Sequence, residues 1–186
     1  MRPDASDPDE VWAQRARTDR DAFAELVQRH AGRIFNLAYR MTGNQADAED
    51  MVQETFIRAY RGLPGFNLAG SFGAWLYRIA VNVCLTQRSR QAGEPSLPLD
   101  EDAAALFDDA PSVHDLAESH EVQAVVQRAI AGLPPMYRVA VVLFHMEGRS
   151  YTEIAGLLGL PINTVRTHLH RGRELLRERL AATSKP

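Results

Sequence analysis

The chain has 186 residues, 45% of them hydrophobic, a formal net charge of −3 and a single cysteine, Cys84. That length allows one or two modest domains, and the hydrophobic share excludes disorder throughout. One cysteine excludes an internal disulfide and a cysteine-rich zinc site, and no uncharged apolar run approaches the roughly 20 residues of a membrane span.

The acidic start, "MRPDASDPDEVW", lacks the apolar core of a signal peptide, so a cytoplasmic protein without membrane insertion is expected. From Asp21 to Thr42, Phe23, Leu26, Val27, Ile34, Leu37, Ala38 and Met41 recur at helical spacing, with Thr18 or Asp19 as cap and Gly43 as stop. Asn44 can cap a second helix whose inner face carries Ala48, Val52, Thr55, Phe56 and Ala59. "GLPGFNLAG" at 62–70 breaks it, and Ser71 then caps a third helix with Phe72, Trp75, Leu76, Ile79 and Val83 inward. Cys84 falls among Val81, Val83 and Leu85 as a small buried hydrophobe. No strand-like alternation appears, so residues 10–90 read as a helical domain.

Residues 91–115, with three prolines and a dense acidic load, read as a flexible acidic linker. A second domain over 116–182 follows, with helices near 116–131 and 136–147 separated by "GLPP". In "GRSYTEIAGLLGLPINTVRTHLHRGRELLRERL" (148–180), Ser150 and Glu153 have the spacing of a capping box, and Gly159 marks a left-handed helix end. Pro161 stands ahead of a second helix that Asn163 or a close neighbour can cap, with Val165, Leu169, Leu176 and Leu180 as its buried stripe. Its other face carries Arg166, His168, His170, Arg171, Arg173, Arg177 and Arg179. A short helix, a tight turn and a basic second helix are the parts of a helix-turn-helix, although an ordinary helical hairpin with a soluble face has the same spacing. The fold class expected is all-α, two small helical domains joined by the linker.

Charge is divided along the chain. Residues 44–54 hold Asp47, Glu49, Asp50 and Glu54 with no base, and residues 57–90 hold Arg58, Arg61, Arg78, Arg88 and Arg90 with no acid. Residues 91–121 hold nine acids and no Lys or Arg, before the last helix turns basic. Two basic patches around an acidic connector suit a protein that meets a polyanion in two places.

Three segments carry a resemblance, in order: "DAEDMVQETFIRAYRGLPGF", "SFGAWLYRIAVNVCLTQRSR" and "LPPMYRVAVVLFHMEGRSYTEIAGLLGLPINTVRTHLHRGRELLRERL". They look like the second conserved region, the adjoining promoter-reading helix and the fourth region of the extracytoplasmic-function group of bacterial RNA polymerase sigma factors. The resemblance implies a sigma factor that binds core RNA polymerase, recognises −35 and −10 promoter DNA and helps melt it. It also implies an anti-sigma factor as a further partner.

Asp50, Gln53 and Glu54 fall at i, i+3 and i+4, an acidic, amide-bearing face that suits a basic helical partner. In similar sigma factors that face binds the clamp helices of the large polymerase subunit; the plain alternative is helix solubility. For the −10 element, Phe66, Phe72 and Trp75 offer rings for base stacking, Arg78 and Arg88 can hold phosphate, and Asn82 can read a base edge. The break containing Asn67 and ending at Ser71 is suited to receive an extruded base, as the matching loop does in similar proteins. Phe72 and Trp75 also have core spacing, and Trp75 is expected to be mostly packing.

At the −35 element, Arg166 and Arg171 are candidates for bidentate guanine contact, while Thr164, Thr167, Arg173 and Arg177 would position the helix on phosphates. His168 and His170, two apart, diverge on a helix, so base or phosphate contact is expected of them rather than zinc. Asn163 replaces a glycine common in the family, and His168 an arginine; "CLTQRSR" lacks a frequent aspartate, which puts the usual promoter sequence in doubt. The rival is a free-standing helix-turn-helix regulator of the response-regulator output type, which would need an α/β receiver. No catalytic pair, phosphate loop, metal cluster or cofactor site emerges, so an enzyme is not expected.

Overall fold

A computed structural model describes residues 8–92 and 120–183, with side chains from 8 to 87 and from 124 to 182. All regular structure among the described residues is helical. Helix α1 (Asp9–Ala16) was not legible as a separate element; it begins after Pro8 with Asp9 and Glu10 in its first turn, where acids favour the helix dipole. The Asp19 side chain accepts from Asp21 N–H to open α2 (Arg20–Thr42), which ends at Gly43 with φ 71°. Asn44 accepts from Asp47 N–H and opens α3 (Gln45–Gly62). A 3-10 turn, Leu63–Gly65, follows, and Ser71 Oγ accepts from Ala74 N–H at 3.2 Å at the start of α4 (Phe72–Ala92). Around Leu26, Ile34, Leu37, Met41, Met51, Leu63, Phe72 and Leu76 these four helices bury a common core. Cys84 lies inside it, and burial pushes its thiol up to about 12.

The assigned linker and the start of the helix expected at 116 lie outside the described residues, apart from the end of α4 at 91–92. The C-terminal domain comprises α5 (His120–Ala131), α6 (Pro135–Val141), α7 (Tyr151–Leu158) and α8 (Ile162–Thr183). The helix expected over 136–147 relaxes after Val141 into a π segment, Val142–Met146, closed by Glu147 N–H to Val142 O at 3.1 Å. At α7 the capping box is complete: Glu153 N–H reaches Ser150 Oγ, and Ser150 N–H reaches Glu153 Oε2 at 2.7 Å. Gly159, φ 60°, ends that helix as expected. Helix α8 starts one residue before Asn163, with the Pro161 carbonyl taking the first amides, Thr164 and Val165. Asn163 therefore works within the first turn, its Oδ1 accepting from Arg166 at 3.2 Å.

The two domains share a polar seam. Carbonyls at the end of α2 are taken up from the other domain, Tyr39 O accepting also from the Gly43 N–H that closes the helix. Gln127 Nε2 donates to Tyr39 O at 3.0 Å and Arg40 O at 2.8 Å, and Arg138 donates to Met41 O at 2.9 Å. Arg138, buried, also donates to Ile130 O and Leu133 O, thereby tying the end of α5 to the end of α2. Arg40 in turn donates to Met146 O and pairs with Glu147.

Candidate partner and nucleic-acid interfaces

On α3, Asp50 and Gln53 are exposed and Glu54 is half-buried, held by Arg58 at 2.7 Å one turn on. Gln53 stands on the ridge between two grooves. One, of about 520 Å³, lies between α2 and α3 and is lined by Phe35, Asn36, Glu49 and Val52 among others. Across the ridge the second, about 360 Å³, runs between α3 and α4 along Asp50, Glu54, Ile57, Arg58 and Gln87. The structure thus brings the three predicted residues together. It adds Ile57, 44% exposed, which the spacing argument passed over because it lies on the charged side of the helix. An exposed branched hydrophobe beside carboxylates suits a partner with both apolar and basic groups.

The residues assigned to single-stranded DNA divide into two sets. Asn67 is exposed at the tip of a tight turn, with its Oδ1 accepting from Ala69 N–H at 3.0 Å and its carbonyl from Gly70 N–H at 2.9 Å. Ser71 is half-buried and occupied with its cap. Phe66 and Trp75 lie 4.9 Å apart by ring centroid, and Phe72, at 0% exposure, packs against both. Phe72 is therefore core, unavailable for stacking with a base; Phe66 is buried as well, at 7%, and Trp75 is half-buried.

Arg78 and Asn82 form the second set and are 3% and 4% exposed. Arg78 Nη2 donates to Gly156 O of α7 at 2.9 Å. Beside it the buried Tyr77 ring lies under Arg33 at 5.0 Å and Arg149 at 5.6 Å, and burial, then the charge of Glu147, pushes its hydroxyl well up. The C-terminal domain covers this face of α4, a long-range relation that local spacing does not contain. Arg88 has its side chain outside the described residues.

The basic helix is the most open of the three surfaces. Arg166, Thr167, His170 and Arg171 are exposed, and Thr164 borders them half-buried. Thr167 Oγ1 donates to Asn163 O at 3.0 Å, Arg171 Nη1 to Tyr137 Oη at 3.2 Å, and His170 lies 3.4 Å from Glu174. Two residues turn away from that surface. His168 packs on Tyr137 with centroids 5.4 Å apart, and burial, then Arg171, holds its imidazole below the ordinary value. Arg173 donates to His145 at 3.1 Å and lies over Phe144 at 5.2 Å. Burial, then Arg173, likewise holds His145 down. No group of three or more potential metal ligands occurs among the described residues.

Comparison with known proteins identifies two regions of the chain. Sigma-70 region 2 matches residues 26–94, and Sigma-70, region 4 matches residues 123–176. The chain is 37% identical over 171 residues to the ECF RNA polymerase sigma factor SigW of Bacillus subtilis, covering 87% of this chain and 90% of that one. It is 42% identical over 160 residues to ECF RNA polymerase sigma factor SigE of Mycolicibacterium smegmatis, covering 86% of this chain but 62% of the relative, less than two thirds of its length. Among solved structures, CnrH in complex with the cytosolic domain of CnrY superposes with a TM-score of 0.65 at 26% identity, over 97% of this chain and 100% of that one. RpoE of Bartonella quintana, in complex with the anti-sigma factor NepR, shares the fold with a TM-score of 0.60 at 23% identity, over 86% and 96%.

Proposed function

The chain belongs to the extracytoplasmic-function RNA polymerase sigma factors, the proteins that lend core polymerase its promoter specificity, and from that premise we propose how its surfaces divide the work. The ridge of Asp50, Gln53 and Glu54, with Ile57 beside it, docks on the clamp helices of the large polymerase subunit. The exposed half of α8 enters the major groove at the −35 element, where Arg166 and Arg171 read guanines and Thr164, Thr167, His170 and Arg177 lie along phosphates. His168, packed against Tyr137 with burial holding its imidazole below the ordinary value, adds at most a contact at the edge, and Arg173 reaches DNA only on leaving His145. The 66–71 turn receives −10 bases on the melted strand, with Asn67 at its tip.

Arg78 and Asn82 serve −10 DNA only after the domains part, because the C-terminal domain covers them in the closed arrangement. An anti-sigma factor fits as the partner that keeps the chain from polymerase, and the reading places the protein in the cytoplasm with polymerase. No helix among the described residues is long and apolar enough to cross a membrane. The free-standing regulator is not favoured, because residues 26–94 match Sigma-70 region 2 and the described part of that stretch carries helices where a receiver needs a sheet.

The observation that carries the reading is the open ridge on α3, an acidic and amide-bearing edge with a free isoleucine between two grooves. Titration of core RNA polymerase with the wild-type chain and with Glu54→Lys tests it. The substitution puts a cation beside Arg58 and is expected to weaken binding by at least tenfold with helicity unchanged. Equal affinity would remove this face from the interface.

A further inference from the structure

Helix α1 touches both ends of the turn that carries Asn67. At one end, Arg17 Nη2, just past the helix, donates to Phe66 O at 2.5 Å. At the other, Glu10 Oε1 accepts from Phe72 N–H at 3.1 Å, the first amide of α4. Amides of a first helical turn have no intrahelical acceptor, and a carboxylate there also meets the positive end of the helix dipole. Between these anchors the chain turns over Asn67–Gly70, whose tip residues Asn67, Ala69 and Gly70 face solvent.

The anchors are themselves fixed. Trp12, Ala13 and Ala16 lie in the core, and Asp9 is held by His30 at 2.7 Å and Arg29 at 3.0 Å. The hydrogen bond from His30, reinforced by Arg29, keeps the Asp9 carboxyl below its ordinary value despite burial. Arg29 lies over the Trp12 ring at 5.4 Å, and His30 faces Phe72 at 5.6 Å. A rigid chain of contacts thus runs from the body of α2 through α1 to the two ends of the turn, while the tip stays open. Structural support of α4 alone would need neither Arg17 nor a bond to a loop carbonyl.

We infer that Glu10 and Arg17 are positioning residues for −10 recognition: they set the shape of the 66–72 turn that receives single-stranded DNA and themselves make no base contact. A turn held at both ends offers a preformed site, so less ordering is needed when a base is captured. This rests on the reading of the turn as the −10 receptor, and the test separates the two ideas.

The full chain, assembled with core polymerase, is compared as wild type, Glu10→Gln, Arg17→Ala, Arg17→Lys and Asn67→Ala. Three quantities are read for each: polymerase affinity, affinity of the holoenzyme for −35 duplex, and affinity for a single-stranded −10 oligonucleotide with the rate of promoter opening. Arg17→Ala is expected to lower −10 binding about tenfold and slow opening, leaving polymerase and −35 affinities unchanged; Arg17→Lys recovers part of the loss and Glu10→Gln loses less. If Asn67→Ala weakens −10 binding while the α1 variants do not, the positioning role is overturned and the receptor reading stands. If Asn67→Ala has no effect either, the receptor reading itself falls. A parallel loss of all three affinities with a lower melting temperature would make α1 plain support of the fold, which also overturns the inference. Arg17 is exposed, so its substitution removes no core packing.

Discussion

Arg78 of α4 donates a 2.9 Å hydrogen bond to the carbonyl of Gly156 in α7, so a cation assigned to DNA is instead spent on the other domain. The same seam holds Arg40 against Glu147 with side-chain exposures of 15% and 3%, and it lays Arg33 and Arg149 over Tyr77. The closed arrangement adds these arginine contacts and one buried carboxylate to a hydrophobic core that runs through both domains, and the buried pair is only weakly screened by salt.

Glu147→Gln should therefore open the chain. Arg40 would keep its bond to Met146 O but lose the charge of Glu147 beside it in a buried place, at a cost to the closed form of about 3 kcal/mol. Small-angle scattering should show a larger radius of gyration, and single-stranded −10 DNA should bind more tightly because Arg78 and Asn82 are freed. An unchanged radius would mean that the carbonyl bonds from Gln127 and Arg138 hold the closed form without the pair.

Acid should loosen the first helix of the helix-turn-helix. Burial works against the Glu153 carboxylate, but hydrogen bonds from Ser150 and the pairing with Arg149 outweigh it and hold its pKa below the ordinary 4.5. A carboxyl depressed in the folded state stabilises above its unfolded pKa, and that contribution is lost as pH falls through the folded one. The C-terminal domain should thus show a melting temperature that drops as pH falls below roughly 4.5, less steeply in Glu153→Gln, on top of an earlier decline below about pH 6.5 from His145 and His168, whose lowered values make the unfolded chain bind protons first. Ser150→Ala, which removes the other half of the box, should cost about 1 kcal/mol at pH 7.

How much of this was legible in sequence depended on range. Asp19, Gly43, Ser150, Glu153 and Gly159 act on amides and carbonyls a few residues away, so their spacing alone placed the helix ends. The ridge of Asp50, Gln53 and Glu54 follows from one helix's periodicity and was equally readable. Helix α1 was missed because eight residues with Trp12 and two alanines inside give too short an apolar pattern. The π segment was missed because the hydrophobic run from Val139 to Leu143 continues unbroken through it. Burial of Arg78 and Asn82, and the reach of Arg17 to Phe66, join residues 49 to 78 positions apart or different domains, where no local rule applies.

Gly172 shows another such long-range demand. A Cβ there would come within 2.8 Å of Val141 Cγ2 and 3.3 Å of the Tyr137 carbonyl oxygen, so glycine lets α8 lie closely on α6. Valine in a helix has essentially one rotamer, and the carbonyl cannot move without α6. Gly172→Ala gains helix propensity of about 1 kcal/mol yet should lower the stability of the C-terminal domain by about 1–3 kcal/mol net of that gain, measured by denaturant unfolding. It should also shift Tyr137, and with it the hydrogen bond that holds Arg171. A rise in stability would show that the helices part freely.

Arg171 itself provides the sharpest test of sequence reading. Its guanidinium is exposed on the outer face of α8 and braced by Tyr137 Oη at 3.2 Å, so its planar fork is presented with few rotamers to lose. Arg166, five residues earlier, is tethered instead by the flexible amide of Asn163. Arg171→Ala should weaken binding to the cognate −35 duplex by about 2 kcal/mol while random-sequence binding falls much less, and it should relax preference at one base pair. Tyr137→Phe keeps the arginine but removes its brace, so a smaller loss in the same direction is expected. Comparing cognate and random duplexes across a salt series separates the cases. Equal losses on both, with the salt slope reduced by about one, would make Arg171 a phosphate contact and pass the reading of guanine to Arg166.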